Sequence, residues 1–172
     1  ARGIKLSPIT FGGGQEMGLR SGTENVPSLV GFSVASELAK KHLVSSRKQY
    51  QVLAKTFREI IEQKSKITPL WLGNPKHQLV NFIPVCFDGL DAERLIFKLE
   101  DRGIYVSTGA ACAASKGQKS HVLSAIGLSD SEIAGSLRIT LGKDTTIEDI
   151  KTAADNLAEV VNLEARRLKL ID

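Results

Sequence analysis

Aromatic residues make up only 5% of this sequence. That is too few to build stacking platforms for nucleic-acid bases. Cysteine is scarcer still, with Cys86 and Cys112 alone. Two thiols cannot staple a small secreted scaffold, and in this setting they are expected to be reduced. No Cys-x-x-Cys occurs, and His42, His77 and His121 are scattered. That pattern gives no structural zinc centre. No apolar run approaches the roughly 18 residues of a membrane-spanning helix. Ala1-Arg2-Gly3-Ile4-Lys5 lacks the apolar core of a secretory signal. The expected compartment is the cytoplasm, or an organelle matrix after processing. Repeats and low-complexity segments are also missing.

What remains is an ordinary globular composition. The 172 residues are 42% hydrophobic and 24% charged, with a net charge of +4. The basic residues alternate with acids, as in Lys55, Arg58, Glu59, Glu62 and Lys64. This is the pattern of a solvated face rather than a nucleic-acid stripe.

Residues 1–25 are glycine-rich and have no apolar period, so they read as an arm that cannot build a core of its own. Residues 27–64 follow a helical period through Val30, Val34, Leu38, Leu53, Phe57, Ile60 and Ile61. That span exceeds ordinary helix lengths, which predicts a break near Ser45-Ser46. Residues 67–72 read as a short strand that Pro69 pushes towards a sheet edge. Residues 79–87 read as a strand interrupted at Pro84.

Asp91 offers an N-cap to a helix ending near Arg102, with Gly103 as its stop. Residues 104–107 form another short strand. Residues 108–118 are small and without an apolar stripe, predicting a mobile loop. Beyond it come a helix over 120–126, a capping box at Ser129 and Glu132, and a strand over 136–141. A second box at Thr145 and Glu148 opens a helix to about residue 168. Alternating strands and helices predict an α/β fold. Three parts are expected: an arm over 1–25, a linking helix or helix pair over 26–66, and a small α/β domain over 67–172 that carries the loop 107–119.

Three places could carry chemistry. Cys86 sits among Ile83, Val85 and Phe87, as a buried apolar cysteine would. Cys112 instead has Ala, Gly, Ser and Lys for neighbours. It is either a reactive thiol, with Lys116 and His121 near enough in sequence to favour the thiolate, or a tolerated surface cysteine. Arg138 shares one strand face with Thr140, opposite Leu137 and Ile139. It is either an ordinary surface arginine or a rigid clamp for a carboxylate. The arm, with Arg20, Ser21 and Thr23 just before a helix, could cradle a phosphate or simply be flexible. It lacks the Gly-Lys-Ser/Thr ending of a P-loop.

Together these segments resemble a known family. Gly12-Gly13-Gly14-Gln15-Glu16, continuing to Arg20-Ser21-Gly22-Thr23-Glu24-Asn25, is similar to a segment of the cysteine desulfurases, pyridoxal-phosphate (PLP) enzymes of the aminotransferase class V group. Val106-Ser107-Thr108-Gly109-Ala110-Ala111-Cys112, followed by Ser120-His121-Val122-Leu123, resembles the catalytic-cysteine loop of the nitrogen-fixation and iron–sulfur-assembly type. Leu137-Arg138-Ile139-Thr140-Leu141-Gly142 with Thr145-Thr146 resembles the family's substrate-arginine strand. The resemblance covers about residues 10–160.

It implies the small C-terminal domain of a fold-type I PLP enzyme, a short mixed sheet packed with helices. It implies that PLP serves as the electron sink for L-cysteine and that Cys112 takes up the substrate sulfur as a persulfide. Arg138 would hold the substrate carboxylate. Thr23 would donate to the PLP phosphate of the other subunit of a homodimer, with Arg20 supporting the arm. His121 would pack or cap rather than catalyse. The sulfur would pass to an acceptor or scaffold protein.

One departure is large. The family's Schiff-base lysine, in a Ser-x-His-Lys context, has no counterpart here. Met17 also stands where many relatives carry arginine. The chain is therefore expected to be the C-terminal portion of such an enzyme, beginning after the lysine region and inactive alone. The competing expectations are a selenocysteine lyase or related class V lyase, and a non-catalytic docking module for sulfur acceptors.

Overall fold

A computed structural model describes residues 3–74, 76–108 and 120–172. Its internal contacts divide the chain into two units, Ala1–Leu43 and Val44–Asp172.

The first unit begins with the glycine-rich arm. Around Glu16–Gly18 the backbone makes a single 3-10 turn, with Glu16 and Met17 both at positive φ. Side chains tie the arm to itself. The Gly14 amide donates to Ser21 Oγ at 3.3 Å, and the Gly22 amide donates to Gln15 Oε1 at 3.0 Å. Ser21 is buried by this closure, whereas the arm's apolar residues Ile4, Leu6, Ile9, Phe11 and Met17 are exposed. Asn25 then accepts the Ser28 amide at 3.2 Å, satisfying one of the unpaired amides at the start of α1 (Val26–Lys64).

Helix α1 runs through Ser45-Ser46 without the expected break. No glycine or proline stands between residues 32 and 64 to interrupt it, and serine alone is only mildly unfavourable in a helix. The expected linker is therefore one helix rather than a pair, and its two ends differ. Val26, Leu29, Val30, Phe32, Val34 and Leu38 are at least half exposed, while Leu53, Phe57 and Ile61 are buried.

Among the described residues the second unit has four strands: β1 (Leu70–Trp71), β2 (Phe82–Cys86), β3 (Ser107–Thr108) and β4 (Ser136–Thr140), in the order β1-β2-β4-β3. Beside the part of α1 from Val44 onwards, its helices among the described residues are α2 (Ala92–Glu100), α3 (His121–Ala125), α4 (Asp130–Ala134) and α5 (Ile147–Arg167). The expected α/β character is present. The sheet is not the mixed one expected: every pairing among the described residues is antiparallel, with β4 between β2 and β3, which run in the same direction without pairing to each other. One sheet face presents Ile83, Val85, Leu137 and Ile139. These share a core with Leu53, Phe57 and Ile61 of α1, Leu95 and Leu99 of α2, and Leu157, Val160 and Val161 of α5. Each such side chain stabilises the fold by about 1.5–3 kcal/mol.

Pro84 does not interrupt β2. Its carbonyl accepts the Leu72 amide at 3.0 Å. In an antiparallel strand a residue's N–H and C=O point to the same neighbour. The missing N–H therefore falls where the two-residue β1 ends, and the ladder to β4 is intact. β1 is a sheet edge, as Pro69 suggested.

Asp91 caps α2, and the box at Ser129 and Glu132 opens α4. The box before α5 sits one residue later than expected, at Thr146 and Asp149. Thr145 Oγ1 is engaged elsewhere, accepting the Gly142 amide at 2.9 Å. At the far end of α1, Asn162 accepts the Lys66 amide (2.7 Å) and donates to the Lys64 carbonyl (2.9 Å). No helix among the described residues is long and apolar enough to cross a membrane.

Candidate active site

The sheet face opposite the core carries Phe82, Pro84 and Cys86 of β2, Ser136, Arg138 and Thr140 of β4, and Ser107 of β3. Cross-strand register places them together: Phe82 pairs with Thr140, Cys86 with Ser136, and Arg138 with both Pro84 and Ser107. Antiparallel partners project to the same side.

At one end of this face the chemistry is closed. Cys86 is fully buried, and burial, with Asp88 and Glu132 adding to it, pushes its thiol up to about 11 against the opposing hydrogen bond of Ser136. Cys86 is thus the inert cysteine that its neighbours suggested.

Arg138 lies in the middle of the face. It is half-buried rather than a plain surface arginine. Its Nε is out of contact with solvent and has no hydrogen-bond partner among the described residues. A buried donor left unmade costs about 1–3 kcal/mol. That cost is tolerable where a group is held ready for a ligand, and a guanidinium fixed on a strand suits a planar carboxylate.

Cys112 and Lys116 lie outside the described residues. Ser107 and Thr108 form β3, the element that leads into that segment. On its far side, Ser120 caps α3 by accepting the Leu123 amide at 3.3 Å, and His121 is exposed at the first position of the helix. Ser120, not His121, makes the cap.

Thr23 and Arg20 belong to the first unit. The Arg20 guanidinium donates to the Gly22 carbonyl at 3.0 Å, bracing the turn before Thr23. Gly22 has a φ of 113°, a conformation that L side chains avoid. Thr23 itself is exposed. Sequence reasoning did not foresee that Ser107 stands across from Arg138. Strand register is a tertiary property, and β3 is only two residues long.

Residues 5–152 match the family described as aminotransferase class-V. The chain belongs to that family. Among class-V relatives it is 40% identical over 161 residues to the cysteine desulfurase IscS of Methanosarcina thermophila, covering 93% of this chain and 39% of the relative. A solved NifS-like protein superposes with a TM-score of 0.77 at 30% identity, covering 94% of this chain and 40% of that one. A second solved structure, SspA in complex with cysteine, gives a TM-score of 0.53 at 34% identity over 82% of this chain and 37% of that one. This class-V chain thus spans about two-fifths of the length of the proteins it matches.

Proposed function

We propose that this chain is the part of a cysteine desulfurase that binds the substrate carboxylate and takes away its sulfur. The observation that carries this reading is Arg138, held in β4 on the open sheet face and paired with β3, the strand that leads to Cys112. The similarity to cysteine desulfurases and to a solved protein in complex with cysteine supports it.

Arg138 grips the carboxylate of L-cysteine, so the substrate thiol is presented from a fixed end rather than a tumbling one. The Cys112 thiolate attacks the substrate sulfur. An S–S bond forms and the substrate Cβ–S bond breaks. The electron pair of that bond stays on carbon, which takes up a proton to give alanine. The products are L-alanine and a Cys112 persulfide, for delivery to an acceptor or scaffold protein.

The arm fits a supporting part in holding PLP. Thr23 is exposed beyond a braced turn, so its hydroxyl is available to the cofactor phosphate of the other subunit of a homodimer, with Arg20 fixing the turn. PLP supplies the electron sink when bound. Its Schiff-base lysine is not in this chain, so the chain alone does not turn over L-cysteine.

Alanine release from L-cysteine tests this. The chain with added PLP should give none, and the same chain joined to a relative's N-terminal portion should give alanine that disappears with Cys112→Ala. Alanine from the chain alone would overturn the claim of inactivity. Undiminished alanine from the joined Cys112→Ala variant would overturn the role of Cys112.

A further inference from the structure

Helices α2 and α5 meet along a seam that is rich in cations. At one end Arg102 is fully engaged. Its two outer nitrogens donate to Glu159 at 2.7 and 3.2 Å, and one of them also donates to Asn156 at 3.0 Å. At the other end Arg94 and Arg167 donate through Nε to one oxygen of Glu164, at 3.2 and 2.7 Å, and Lys98 approaches its other oxygen at 3.3 Å. Unlike those of Arg102, the outer nitrogens of Arg94 and Arg167 make no hydrogen bond to any described residue. The Glu164 side chain is 4% exposed and the three cations are 40–49% exposed, so the acceptor is sealed and the donors are open. Three cations against one carboxylate leave two positive charges in excess at the surface. A guanidinium tied at Nε keeps its plane, and its outer N–H groups keep their direction. Such an arginine binds a carboxylate without first losing rotational freedom.

The surroundings narrow what would bind there. Side chains three and four residues apart are neighbours on a helix. Phe97, one turn after Arg94, and Leu163, one turn before Arg167, are both exposed beside the cations. Apolar side chains among guanidiniums suit a protein segment. A continuous run of phosphates would also meet Glu93, Asp101 and Glu159, which are exposed on the same two helices. A second copy of the chain would bring a like net charge of +4. We infer that Arg94, Lys98 and Arg167 form a docking point for an acidic segment of a partner protein, one whose carboxylates flank an apolar side chain. Glu164 aims the two arginines at it. The inference is independent of the roles of Arg138 and Cys112.

A synthetic peptide of alternating glutamate and leucine serves as the test ligand. Titrated into the 172-residue chain and followed by NMR, it should shift the amides around Arg94, Lys98, Leu163 and Arg167 and the Nε–H resonances of the two arginines. Added salt should weaken it. Arg94→Lys and Arg167→Lys keep the charge and a cation for Glu164, and so the fold, but lose the fork. Each should weaken binding about fivefold, the upper scale of one exposed ion pair. Leu163→Asp, which removes none of the Glu164 bonds, should weaken it at least as much by setting a like charge against the peptide. Unchanged affinity in both lysine variants would mean diffuse attraction to a basic chain and would overturn the inference, as would the absence of any shift at low salt. Oligouridine binding at the same amides more tightly than the peptide would give the surface to phosphates. Self-association that Arg167→Lys abolishes would give it to a second copy. Either result overturns the assignment to an acidic segment.

Discussion

Single residues here report their surroundings sharply, and Glu164 is the clearest case. It is buried in α5, and Arg167 (2.7 Å), Arg94 (3.2 Å) and Lys98 (3.3 Å) converge on its carboxylate. Burial pushes the carboxyl up, but the three hydrogen-bonded cations outweigh it and hold the group down at about 2. A carboxyl depressed in the folded state stabilises it fully above the ordinary value near 4.5 and loses that contribution as the pH falls towards 2. The cations are partly in solvent, so about 2 kcal/mol is at stake. Urea unfolding of Glu164→Gln should show that loss at pH 7, and the gap to the parent should close between pH 4.5 and 2. A gap independent of pH would refute the assignment. Gly135 makes a different demand. A Cβ there would run into the Phe87 carbonyl and sit 3.2 Å from that of Leu90. Gly135→Ala should cost about 1–3 kcal/mol by overpacking, seen as a lower unfolding midpoint at an unchanged denaturant slope.

At the scale of elements, hydrogen-bonding chemistry explains what was legible in the sequence. Asp91 and the pair Ser129 and Glu132 stand where local caps place them, because a cap depends on neighbours a few residues away. The box before α5 was misplaced by one residue because Thr145 and Thr146 both fit, and only the turn at Gly142 separates them. Replacing Thr146 by alanine should therefore cost about 1 kcal/mol in thermal or urea unfolding. Strand ends were less legible. β1 and β3 are two residues each, shorter than any apolar alternation can mark. Pro84 looked like a break because its missing donor matters only if a strand faces it, and β1 ends there. The same holds at the site. Arg138 was picked out by its strand position, whereas Ser107 depends on pairing that no local pattern encodes.

On the scale of the whole molecule, burial is lopsided. Among the described residues Leu53 is the first apolar residue along the chain to be buried, and their core lies entirely within the second unit. A chain reduced to residues 44–172 should therefore unfold cooperatively, with a midpoint close to that of the parent. A large drop would show that the first unit contributes to the core's stability. The first unit instead exposes a row of apolar side chains from Val26 to Leu38. Contiguous apolar surface of that kind promotes association, so sedimentation should show concentration-dependent self-association that residues 44–172 lack. Cys86 has a consequence of another sort. A persulfide is destroyed by any second thiolate that reaches it. The other thiol of this chain is sealed in the sheet and stays protonated up to about pH 11. Under the proposed function, a persulfide on Cys112 would therefore find no resolving partner in Cys86, and its release would wait on a thiol from outside.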